Sequence, residues 1–174
     1  MKTLITVVVS GLLFLACSDD SKTTEMTITS SSGAWTVFPQ TGGAPNPAQN
    51  IMGSAKAVKT GDAKMRVEMT VMGLPVSTTF GSHIHKLDCA TMTAGGHYQH
   101  MPSGDAAATD PAFGNATNEV WLDFMTDTTG KATVTKEASF IPRAGEAKAI
   151  VVHAMATGTG GVAGAKLACL GMAF

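Results

Sequence analysis

Polar and apolar residues alternate along Arg66-Val67-Glu68-Met69-Thr70-Val71, which puts every second side chain on one face of an extended strand. Short runs of this kind, bounded by turn residues, recur along the chain. They predict strands over Met26–Ser30, Ile51–Thr60, Lys64–Met72, Ser82–His85, Val120–Thr126, Ala132–Phe140, Glu146–His153 and Lys166–Met172. Gly61-Asp62 and Thr129-Gly130 supply hairpin turns. No long apolar stripe of helical period stands beside them. The pattern predicts an all-β fold, an antiparallel Greek-key sandwich or flattened barrel, immunoglobulin-like, with about eight strands.

Composition agrees with short strands and tight turns: 19 glycines and 14% charged residues. The formal net charge is −1, and no Lys/Arg cluster exists to displace counterions from phosphate, which excludes nucleic acid as a partner. The 11 methionines show one Met-x-x-Met spacing, Met69-Thr70-Val71-Met72, and no clustering of it, and most read as core filler. Met101 and Met155, close to His100 and His153, are the two placed to reach a metal.

The chain opens with Lys2, an apolar run from Leu4 to Ala16, and Cys17-Ser18-Asp19-Asp20. This reads as a secretory signal, too short to span a bilayer comfortably. The expected organisation is a signal peptide over residues 1–16, a tether over 17–25 and a single domain over 26–174, large enough for its own core. Phe14-Leu15-Ala16-Cys17 resembles a bacterial lipoprotein signal, in which the cysteine carries lipid. Phe14 stands where leucine is usual, so cleavage without lipidation stays open. The expected location is the bacterial periplasm or cell envelope, with the membrane touched only through a lipid at Cys17. Oligomeric state is not legible.

Candidate chemistry lies in the histidines. His83-Ile84-His85 places two imidazoles on one face of a strand, able to grip one ion, whereas a helix would splay them. His97 follows in Gly95-Gly96-His97-Tyr98, and His153 ends the apolar run Ala149-Ile150-Val151-Val152. One histidine in a strand is usually packing or surface, and His-x-His alone is a weak signal. Imidazole suits copper, zinc, iron and nickel, but four neutral nitrogens in a flattened arrangement favour Cu(II) over tetrahedral zinc.

The segments Gly81-Ser82-His83-Ile84-His85, Gly95-Gly96-His97-Tyr98, Val151-Val152-His153 and Lys166-Leu167-Ala168-Cys169-Leu170-Gly171 resemble, in that order, the signatures of the copper/zinc superoxide dismutases. The resemblance covers roughly residues 50–174. It implies that His83, His85, His97 and His153 hold copper, one ion per chain, with superoxide as substrate. His97 would correspond to the imidazolate that bridges copper and zinc. It also implies a disulfide between Cys89 and Cys169, stable after export and contributing about 4 kcal/mol in the chain-entropy description; two buried free thiols are the alternative.

Three departures qualify the resemblance. Between His97 and Trp121 the chain offers only His100, Asp105, Asp110 and Glu119, no recognisable zinc set. The long charged loop that usually follows the fourth histidine is replaced by Ala154–Gly164, uncharged and read as a flexible connection. Lys166 stands where the family has an arginine, keeping the charge without the bidentate fork. These departures resemble the copper-only members, so no zinc is expected. His97 and Lys166 would then be the catalytic residues, with Glu119 first and Asp123 second to orient the far nitrogen of His97. The alternative reading is a non-enzymatic copper-binding or delivery protein on the same fold.

Overall fold

The structure is a computed structural model in which residues 25–104 and 107–174 are described. Among the described residues there are nine strands: β1 Met26–Ser31, β2 Thr36–Val37, β3 Met52–Gly61, β4 Lys64–Met72, β5 Thr79–His85, β6 Phe124–Met125, β7 Ala132–Ala138, β8 Ala149–His153 and β9 Lys166–Gly171. They form two sheets, ordered β1-β3-β4-β7 and β2-β9-β8-β5-β6, with every pair antiparallel. The expected all-β sandwich is therefore present, as two separate sheets rather than a closed barrel.

Alternation builds the space between the layers. In β4, Met65, Val67, Met69 and Val71 are buried, while Lys64, Arg66, Glu68 and Thr70 face outward. From the second sheet Ile84, Ile150 and Leu170, aligned across β5, β8 and β9, meet them in one core. Fully burying a side chain such as Ile150 contributes about 1.5–3 kcal/mol. β8 is buried at all five positions because its outer face is covered too. There Phe38, Cys89, Ala94, Ala149, Val151 and Cys169 form a second cluster beneath the segment that follows β5. Cys89 and Cys169 are joined by a disulfide across 80 residues of sequence, tying that segment to β9.

Several boundaries differ from expectation for local reasons. The strand expected over Val120–Thr126 shrinks to β6, because side chains replace part of the ladder: Asp123 Oδ1 accepts from the Ser82 amide at 3.2 Å. β8 starts at Ala149, not Glu146, since Arg143 and Glu146 close a turn by a backbone bond of 3.0 Å and a side-chain bond of 2.8 Å. β2 went unforeseen: two residues are too few to show a period, and they are ordered by pairing with Cys169 and Ala168.

Candidate metal centre

β5 presents Gly81, His83 and His85 on the outer face of its sheet, and the antiparallel register sets His153 of β8 opposite Gly81 on that face. His97 arrives from the segment held down by the disulfide, forming an isolated bridge with His85. One ligating atom from each of His83, His85, His97 and His153 lies within 4.8 Å of the others. His83, His85 and His153 are buried; His97 is partly exposed. The His83 and His97 rings stack at 3.9 Å.

Hydrogen bonds assign the tautomer of every ring. His85 Nδ1 lies 3.0 Å from the Gly95 carbonyl, and His153 Nδ1 lies 3.3 Å from the Gly164 carbonyl. Carbonyls accept, so both Nδ1 atoms carry hydrogen and both Nε2 atoms are bare. Those two bare nitrogens face each other at 3.1 Å. His97 Nδ1 donates to Glu119 Oε2 at 2.8 Å, which frees its Nε2. His83 Nε2 lies 2.7 Å from Thr157 Oγ1, whose own hydroxyl donates to Asp123 Oδ1 at 2.6 Å. Thr157 therefore accepts from His83, and His83 Nδ1 is left buried with no hydrogen-bond partner. Four lone pairs converge with nothing of opposite sign among them, a donor set that fits a metal cation.

The surroundings keep the rings of His83, His85 and His153 neutral. Burial, with the neighbouring histidines adding to it, pushes His83 and His85 far below the usual histidine range. His153 falls to about 4, burial outweighing the opposing bond to the Gly164 carbonyl. Neutral imidazole is the form that ligates, so the site is ready at neutral pH.

Of the two carboxylates expected behind His97, Glu119 is the one that reaches it. It is buried, and Oε2 also accepts from Trp121 Nε1 at 2.8 Å while Oε1 accepts from Gln99 Nε2 at 2.9 Å. Asp123 serves the opposite side of the site, holding Thr157 through its amide at 2.7 Å and its hydroxyl, and through Thr157 the ring of His83. Glu119, Trp121 and Asp123 stand at alternate positions of an extended segment, a period-two signal that could have linked them in the sequence. Thr157 and Gln99 leave no such signal.

Lys166 stands at the mouth of the site, its ammonium donating to the carbonyls of Thr93 and Gly95 at 2.6 Å each, and desolvation lowers its pKa. The segment Ala154–Gly164, expected to be a flexible connection, is instead packed onto the centre. A Cβ at Gly81 would meet the Met155 carbonyl at 2.6 Å, and one at Gly161, where φ is +74°, would come within 3.0 Å of Glu119 Oε2. Only glycine lets these backbones approach so closely. His100 takes no part: it is exposed and its ring stacks on Phe140 at 4.5 Å. Asp110 accepts from the Ala112 amide at 2.9 Å in a turn. Among the described residues Met26, Met52, Met92, Met101, Met125 and Met155 are exposed and only Met65, Met69 and Met172 are buried, so most methionines are not core filler. Asp105 and Cys17 lie outside the described residues.

Comparison with solved structures places this architecture. A double mutant of a superoxide dismutase-like protein from Bacillus subtilis aligns with a TM-score of 0.56 and 19% identity, covering 70% of this chain and 89% of that one. The fold is superoxide dismutase-like. The clock protein EA4 shares it equally, with a TM-score of 0.56 and 19% identity over 75% of this chain and 97% of that one. No protein-family model matches the sequence, and no curated protein does. The four-histidine group could hold one metal ion.

Proposed function

We propose that this protein is an exported, copper-dependent superoxide dismutase that works without a zinc site. The observation that carries the reading is the occupant of the outer nitrogen of His97: a buried carboxylate, Glu119, stands where a bridging histidine would meet zinc. Copper, when bound by His83 Nδ1 and the Nε2 atoms of His85, His97 and His153, supplies one-electron chemistry in both directions, so two superoxide ions and two protons give dioxygen and hydrogen peroxide. Thr157 and the Gly95 and Gly164 carbonyls hold three rings in the ligating tautomer. Glu119 does the same for His97, leaving its Nε2 as the ligating atom. Lys166 draws the anion inward.

Export to the periplasm with lipid at Cys17 belongs to the same reading, supported by the disulfide. Mass analysis of the protein from bacterial membranes tests it: an unlipidated Cys17 would limit the claim to export. Against catalysis stands the copper-carrier reading, favoured by the engagement of the Lys166 ammonium with two carbonyls and by the uncharged Ala154–Gly164 segment. Metal content and superoxide turnover, measured on one sample loaded with both metals, decide between them. One copper, no stoichiometric zinc and fast turnover are expected; full copper with negligible turnover establishes the carrier, and one zinc beside the copper overturns the zinc-free reading.

A further inference from the structure

Beside His85, His97 and His153 lies a cavity of about 320 Å³, with Lys166 in its lining. At roughly 30 Å³ per water it has room for about ten, far more than a diatomic substrate occupies. It falls at the lower end of the range for small-molecule sites. Its wall is mostly carbon: Gly160, Gly161, Val162, Ala163 and Gly164 on one side, Ala108 and Thr109 on the other. The absence of side chains there makes the space.

Two charged groups border it, and they are not equivalent. Glu119 is 2% exposed, and both its oxygens are occupied by His97, Trp121 and Gln99, so it offers nothing to a ligand. Lys166 donates to two backbone carbonyls, which hold the ammonium in place without neutralising it and leave its third N–H free. The remaining polar side chains are those of the histidines and Thr109. Val162, half exposed at the rim, extends the apolar wall outward.

We propose that this cavity binds a small organic monoanion of the aromatic carboxylate class. The carboxylate meets the Lys166 ammonium, and the ring lies against Val162, Ala163 and Gly164. Charge selects the head, the carbon wall selects the body, and the volume limits the ligand to about one ring. The inference goes beyond dismutation: such an anion would share the entrance with superoxide, and its binding does not require turnover.

Calorimetric titration of benzoate into the full-length mature protein, copper-loaded and metal-free, is the test. Benzoate should bind both forms saturably with a dissociation constant on the order of millimolar, at least about tenfold tighter than acetate, which has the head without the ring. Benzylamine, with the same ring and the opposite charge, should not bind. Lys166→Gln and Val162→Asp should each weaken benzoate by about tenfold; Val162 is exposed, so its variant folds. Benzoate binding no tighter than acetate, or unchanged in both variants, overturns the inference. Superoxide turnover of the copper-loaded protein is scored separately: benzoate binding without dismutation retires the proposed enzyme and leaves this site, while dismutation without benzoate binding retires this site alone.

Discussion

Replacing Glu119 by glutamine isolates the feature that stands in for zinc. The wild-type carboxylate is an acceptor with three donors aimed at it: His97 Nδ1 and Trp121 Nε1 on one oxygen, Gln99 Nε2 on the other. Glutamine keeps the shape but has one oxygen and one NH₂. Its oxygen would serve His97 and Trp121, which turns its NH₂ toward the Gln99 amide. Gln99 can flip to present its otherwise unpartnered Oε1, but it then withdraws Nε2 from the Ala108 carbonyl, a bond of 2.8 Å. Either way one buried polar group loses its partner, at a cost of about 1–3 kcal/mol. The lost negative charge also weakens the attraction of that side of the site for a cation. Outer partners of metal-bound histidines are worth about ten- to hundredfold in affinity, or about 1.4–2.7 kcal/mol. Competition with a copper chelator at neutral pH should therefore give Glu119→Gln a copper dissociation constant about ten- to hundredfold weaker than wild type. A thermal melt of the metal-free variant separates this from a folding defect. An affinity within about twofold of wild type, on a folded variant, would refute the assignment of Glu119 as the partner that tunes His97.

Three further outcomes follow from the same geometry. Replacing Cys89 or Cys169 by serine opens a loop of 80 residues and should cost about 2–4 kcal/mol, lowering the thermal midpoint by about 5–15 °C; a melt unchanged on reduction would show the bridge to be energetically idle. The metal-free protein should lose stability on acidification: His153 titrates at 6.5 when unfolded and about 4 when folded, so the unfolded chain binds more protons between those values, and stability present above pH 6.5 declines by about 3 kcal/mol as pH falls to about 4. His83 and His85, lowered further by burial, act in the same direction, and urea melts at a series of pH values read the slope; a flat profile would contradict their burial as neutral rings. Lys166→Gln should slow superoxide turnover and flatten its dependence on salt, whereas Lys166→Arg should hold or raise the rate; stopped-flow decay of superoxide that is identical in all three proteins removes Lys166 from the reaction.

What the sequence determined by itself is what local periodicity encodes. The alternation in β4 predicted its limits to the residue, because one face is buried along its whole length and a one-residue slip would invert every side chain. His83 and His85 were legible as a pair for the same reason: two positions apart on a strand, they share a face whatever the strand packs against. That His97 and His153 complete the group came from a resemblance in motif order, since no local rule connects residues 68 positions apart. Tertiary structure alone decided the rest. Antiparallel registry places His153 opposite Gly81, and the disulfide-held segment brings in His97. Packing of the Ala154–Gly164 segment delivers Thr157 to His83 and turns a stretch that reads as a loose linker into the wall of the site. Glu119 ranked ahead of Asp123 as the partner of His97, and their placement on opposite sides of the centre gave each a different ring to hold. Side-chain contacts of this kind depend on where separate strands come to rest, and a single strand carries no record of its neighbour's position.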